Sequence, residues 1–141
     1  MKRAFIIVVA VVFVLLAVVV GGGWWWLQKH GDELAEMSTA ALKDGAHFGD
    51  GRDGDACVTE AERRLATTNG IVAEAGNKMF LEGCLKTAKI TPAFCENIPP
   101  RDSIVKTATW ALARCSNVPS GEQQACARLI GAVQERCLNP R

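Results

Sequence analysis

A chain of 141 residues has room for one small domain, and its character is unevenly spread, with apolar residues bunched at one end and all six Cys at the other. Sixteen Lys and Arg against fifteen Asp and Glu leave a formal charge of +1, which makes no electrostatic case for nucleic acid. Tyr is absent and His30 and His47 are the only histidines, so most acid/base and metal chemistries lack their usual groups.

Met1-Lys2-Arg3 opens the chain, and Ala4 to Val20 follows without a polar side chain. Uncharged character continues through Gly21-Gly22-Gly23-Trp24-Trp25-Trp26-Leu27-Gln28 until Lys29. A helix over residues 4–27 reaches roughly 36 Å at about 1.5 Å per residue, enough for a hydrocarbon layer of about 30 Å. Indole rings favour the headgroup level, so Trp24, Trp25 and Trp26 are expected to form the belt at the far membrane interface. Lys2 and Arg3 then keep residues 1–3 in the cytoplasm, which places the C-terminal domain in the periplasm, on the outer face of a bacterial inner membrane. The competing reading is a cleaved signal peptide, whose apolar stretch is typically about 7–15 residues and so shorter than this run. Once Lys2 and Arg3 are set aside, the exterior part carries 14 basic against 15 acidic residues and is close to neutral.

Residues 28–54 read as a juxtamembrane helix followed by a Gly-rich linker. Asp32 to Lys43 suits a helix, with Leu34, Met37 and Ala41 on one face and acids in the first turn. Gly45 to Gly54 then breaks the periodicity and is expected to be the linker. Asp53-Gly54-Asp55-Ala56-Cys57 resembles the short acidic tail motif of excalibur calcium-binding domains, without that family's regular Asp alternation. Alternation from Asp50 lands on Arg52 and Gly54, so the expectation is a polar loop ending in Asp55 as a helix N-cap, with no metal.

Cys57, Cys84, Cys95, Cys115, Cys126 and Cys137 make an even count on the exterior side, which reads as three disulfides bracing a small core. Zinc, redox and haem alternatives need closely spaced pairs such as C-x-x-C, and none occurs. Cys126 and Cys137 belong to one expected helix, which holds them roughly 16 Å apart. Bridged Cα atoms lie about 4.4–6.8 Å apart, so these two do not pair with each other. Cys57–Cys84 and Cys84–Cys95 each straddle a turn and each would staple an antiparallel helix pair.

Five helical stretches follow from pattern. Asp55 to Thr67 presents Cys57, Ala61 and Leu65 at helical spacing, and Ile71 to Lys89 carries a wide apolar face from Val72 through Met79, Leu81 and Leu85 to Ala88. Thr91-Pro92 starts a short helix that Pro99-Pro100 ends. Asp102 or Ser103 caps a helix to about Cys115, with Ile104, Ala108, Leu112 and Cys115 expected inward and Trp110 roughly opposite Ala108. Trp110 is then either a second packing contact or a partner-binding anchor. Ser120 to Gln123 fits a capping box, and Cys126, Leu129, Ile130, Val133 and Cys137 form one stripe. No alternating β-branched run with hairpin turns appears outside the apolar segment.

The expected fold is all-α: a single N-terminal transmembrane helix, then a small disulfide-stapled helical bundle over residues 55–141. The expected function is a membrane-tethered, non-enzymatic interaction module of the bacterial cell envelope, serving as an adaptor or assembly subunit or as an inhibitor of immunity type. Its partners would be the lipid bilayer, through residues 4–27, and another envelope protein, with no nucleic acid and no cofactor. The alternative is a small periplasmic hydrolase using helix-borne carboxylates such as Glu60, Glu62, Glu74, Glu82 and Glu96. Glu is a good helix former on solvated faces, so the five do not mark a site and no catalytic residue is named.

Overall fold

The computed structural model describes residues 2–67 and 70–139, with side chains from Ala10 onward apart from Leu27. The side chains of Lys2 and Arg3, the turn residues Thr68 and Asn69, and the stop at Pro140 lie outside the described set. The chain is helical: α1 (Lys2–Gly49), α2 (Gly54–Leu65), α3 (Ile71–Thr87), α4 (Ile104–Arg114) and α5 (Gln123–Leu138). Among the described residues there is no strand, only an isolated bridge between Asp53 and Lys89. Two compact units divide the chain, Met1–Glu36 and Met37–Arg141.

The first unit is the apolar stretch of α1 and its polar continuation. No single helix among the described residues is long and apolar enough to cross a membrane. Ala10–Trp26 and Gln28–Gly49 meet the requirement together, with a bend of 51° between them. The single span expected over residues 4–27 includes residues 4–9 and Leu27, whose side chains are outside the described set.

The second unit begins earlier than the sequence suggests. Gly45 to Gly49, expected in a Gly-rich linker, are the last turns of α1, and only Asp50 to Asp53 turn the chain. Gly disfavours a helix by about 0.5–1 kcal/mol relative to Ala, so local propensity points to a loop. Packing overrides it. A Cβ on Gly45 would stand 1.9 Å from the Phe80 carbonyl oxygen, and one on Gly49 would stand 2.3 Å from that of Cys84. From the other side, a Cβ on Gly83 would stand 2.1 Å from the Leu42 carbonyl oxygen. Backbone therefore meets backbone where α1 crosses α3, and the Thr87 hydroxyl donates to the Ala46 carbonyl at 2.7 Å beside the crossing. The chain leaves α1 at Gly51, whose φ of 74° is a conformation suited to Gly.

Asp53 rather than Asp55 caps α2, its Oδ1 accepting the Ala56 N–H at 2.8 Å, while Asp55 sits in the first turn. Cys57, Ala61 and Leu65 are buried as the spacing predicts, together with Val58. α3 packs against α2 and α5, but its burial starts only at Asn77. Val72, expected on the inner face, is exposed, and Phe80 is the largest fully buried side chain. Between α3 and α4 the expected short helix is a run of three-residue turns. Phe94, Cys95 and Glu96 donate to the carbonyls of Thr91, Pro92 and Ala93 at 3.1, 3.2 and 3.2 Å. Pro99-Pro100 leaves too few residues there for a continued helix.

Three disulfides close the unit. Cys57–Cys84 joins α2 to α3, Cys115–Cys126 joins the end of α4 to the first turn of α5, and Cys95–Cys137 ties the turn segment to the last turn of α5. Of the two staples left open by the sequence, Cys57–Cys84 forms, and Cys126 and Cys137 bond elsewhere as their separation requires. The capping box expected at Ser120 is not made: α5 starts at Gln123, and its cap residue Glu122 makes no side-chain capping bond. A sequence separation of 11 between Cys115 and Cys126, with Cα atoms 6.0 Å apart, limits where α5 can start.

α4 is rotated relative to expectation. Ala111 and Cys115 are buried and Trp110 is half-buried, whereas Ile104, Ala108 and Leu112 are exposed. Gln134 of α5, expected off the core stripe, explains part of this. It is buried, and its Nε2 donates to the Pro99 carbonyl at 2.9 Å and to Thr107 Oγ1 at 3.0 Å. That bond draws the Thr107 and Ala111 side of α4 towards α5.

Candidate functional site

In the first unit the candidate site is a surface. An α-helix that is apolar all round has no face of its own to give to water. From Val11 to Trp26 the large apolar side chains are exposed, and Trp24, Trp25 and Trp26 stand 66%, 63% and 51% exposed. Each such side chain left in water forgoes roughly 1.5–3 kcal/mol available on burial. A polar collar follows at once: Lys29 lies 5.3 Å from the centre of the Trp25 ring, the His30 ring is 5.0 Å from that of Trp26, and His30 Nδ1 is 3.6 Å from Glu33. The change from apolar to polar therefore falls within one helical turn of the three indoles.

In the second unit, several charges are answered within the fold. Arg64 lies 3.6 Å over the Phe80 ring and reaches Glu60 at 2.8 Å and Asp44 at 2.7 Å. Arg63 binds the same Glu60 through two nitrogens at 2.8 and 2.7 Å. Hydrogen bonds from Arg63, then from Arg64, hold the Glu60 carboxyl well below its usual range, at about 2. Burial pushes Glu62 the other way, opposed by the charge of Arg114. Glu74 faces Arg128 at 2.8 Å and Glu82 faces Lys78 at 3.8 Å. Thus three of the five carboxylates considered for hydrolysis each have a cation partner, and Glu60 is fixed as an anion at neutral pH.

The six cysteines are all paired. Cys57, Cys84, Cys115 and Cys126 are fully buried, while Cys95 and Cys137 are partly exposed. Trp110 packs half-buried against the core, which suits the packing role weighed for it. The exposed apolar surface of α4 is instead aliphatic, with Ile104 82% and Val105 77% exposed.

Pattern reading missed Asn77 and Gln134, both buried, the first donating from Nδ2 to the Ala61 carbonyl at 2.6 Å. A polar residue spaced in register with apolar ones is the signal that could have marked Asn77, which precedes Leu81 and Cys84 by four and seven positions. Gln134 follows Ile130 by four positions and precedes Cys137 by three, so it carries the same mark. No protein family, curated protein or solved structure matches the chain.

Proposed function

We propose that the protein is a non-enzymatic interaction module of the bacterial cell envelope, tethered to the inner membrane by the apolar part of α1, with its stapled unit in the periplasm. The reading rests on one conjunction: an exposed apolar surface from Val11 to Trp26 in the same chain as a unit whose six cysteines are all paired. The first feature calls for a non-aqueous phase, and three disulfides suit an oxidising compartment. The tryptophan cluster followed by Lys29, His30 and Glu33 suits an interface between the two. Within this class the stapled unit is an adaptor, an assembly subunit or an inhibitor of immunity type, presenting a preformed helical surface to another envelope protein.

The test is the intact mass of the protein taken from carbonate-washed native membranes and alkylated with and without prior reduction. A full-length mass with no alkylated thiol is expected before reduction, and six after it. Release into the carbonate wash, loss of the first twenty-odd residues, or six reactive thiols without reduction would each overturn the tethered, oxidised reading.

A further inference from the structure

Three helices of the second unit leave a cleft of about 450 Å³, with Leu42 from α1, Leu85 and Lys86 from α3, and Ala132 and Arg136 from α5 among its walls. This falls in the range of small-ligand sites, about 300–1,000 Å³. Its floor is aliphatic: Leu85 and Ala132 are buried, with Leu42 at the mouth.

The charges around it are unequally answered. The wall carboxylates are already engaged, Glu82 by Lys78 at 3.8 Å and Glu135 by Arg101 and by Asn139 Nδ2, the last at 2.7 Å. Lys86 and Arg136 have no carboxylate within ion-pair distance among the described residues. With Glu82 and Glu135 each held by a cation from outside the cleft, Lys86 and Arg136 are the two lining charges left for a ligand. Arg136 is also held in place: its Nε–H donates to the Leu85 carbonyl at 2.9 Å, which sets the guanidinium plane and leaves the terminal nitrogens for an acceptor. A cation in the last turn of a helix is expected from the helix dipole alone. The dipole does not require an aliphatic cleft beside it.

We propose that this cleft binds a small aliphatic carboxylate, its chain against Leu42, Leu85 and Ala132 and its head on Arg136, with Lys86 alongside. A planar fork matches both oxygens of a carboxylate, and Glu82 and Glu135 nearby oppose the second negative charge of a phosphate monoester. This goes beyond the envelope-module reading and stands without it, since no lipid contact enters the argument.

The experiment is an NMR titration of the full-length protein in zwitterionic nanodiscs with octanoate, using octylamine as the cation of equal chain length and empty nanodiscs as blank. Octanoate is expected to shift the Leu85 and Ala132 methyl signals saturably, and octylamine is not. Arg136→Gln is expected to weaken octanoate about tenfold, as loss of a charge-assisted contact does. Arg136 also bonds the backbone of α3, so Lys86→Gln is the second variant. Its exposed side chain lies outside the core, and the expected result is about threefold weaker binding at an unchanged unfolding midpoint. Absence of saturable shifts, equal shifts with octylamine, or unchanged affinity in Lys86→Gln overturns the proposal. Binding of a hydrophobic peptide with a free C-terminus where octanoate does not bind would overturn it in favour of a protein partner.

Discussion

Gly21, Gly22, Gly23 and Gly31 stand in the same helix as Gly45 and Gly49, yet the two groups do opposite things. A Cβ added to any of the first four would meet nothing within 4 Å, whereas one on Gly45 would meet the Phe80 carbonyl oxygen at 1.9 Å. In the first unit, glycine only weakens a helix whose stability comes from its own hydrogen bonds and from whatever phase surrounds it. In the second, glycine is the condition for two backbones to touch. The same residue type in one helix is thus a local cost in one unit and a packing device in the other, and only the neighbouring chain separates the cases.

Four expectations sharpen the description of the two units, the first with the largest effect. Removing the staple between α2 and α3 by Cys57→Ser with Cys84→Ser should cost about 2–5 kcal/mol, the usual range for a native disulfide in a small domain. Denaturant unfolding of the intact chain would measure it, and an unchanged midpoint would mean that this staple adds nothing to what helix packing and the other two disulfides already supply. Within the same unit, stepwise reduction and alkylation should open Cys95–Cys137 first, because both residues are partly exposed while the other four cysteines are fully buried. Trapping either other pair before it would contradict that order.

Next comes the same substitution with opposite sign. Gly45→Ala or Gly83→Ala should destabilise the second unit by about 1–3 kcal/mol, since the intruding Cβ meets backbone that cannot rotate away. Gly31→Ala, open on all sides, should leave that unit unchanged and favour its own helix by up to about 1 kcal/mol. Circular dichroism and unfolding midpoints of the three variants read both signs. Destabilisation by Gly31→Ala would show that the first unit also packs against protein.

The smallest effect concerns pH. Glu60 is lowered from 4.5 to about 2 when folded, so its contribution is present above pH 4.5 and is lost as pH falls towards 2. The partners Arg63 and Arg64 are partly solvated, which keeps the energy modest. Glu60→Gln should flatten the acid limb of the stability profile in that window and leave stability near pH 7 only slightly lower. An acid limb of unaltered shape would place the acid sensitivity on other carboxylates.

The helical character of every named element was legible in the sequence, because apolar periodicity sums over many residues and tolerates a few misassigned ones. The core of α2 and of α5 was legible for the same reason, with Cys57, Ala61 and Leu65 on one and the Cys126 to Cys137 stripe on the other. On α4 the signal failed. Ile104, Ala108 and Leu112 form as good a stripe as the residues that are buried, and a helix of eleven residues with apolar side chains spread over so much of its circumference does not say which arc faces in. Helix ends were legible only approximately, since Asp53 and Asp55 are equally good caps by type and Ser120 is a better one than the Glu122 that stands at the start of α5.

Sequence by itself determined that this chain is helical, that its apolar and cysteine-bearing parts are separate, and that Cys126 and Cys137 find different partners. Each of these depends on composition or on the rise of a single helix, which are local quantities. The tertiary structure alone decided that Gly45 to Gly49 is helix, that α4 turns Thr107 and Ala111 inward, and that Lys86 and Arg136 share a cleft. Those outcomes depend on a carbonyl of α3, a buried amide of α5 and the approach of three helices. Groups far apart in the chain supply all of them, so no local pattern contains them.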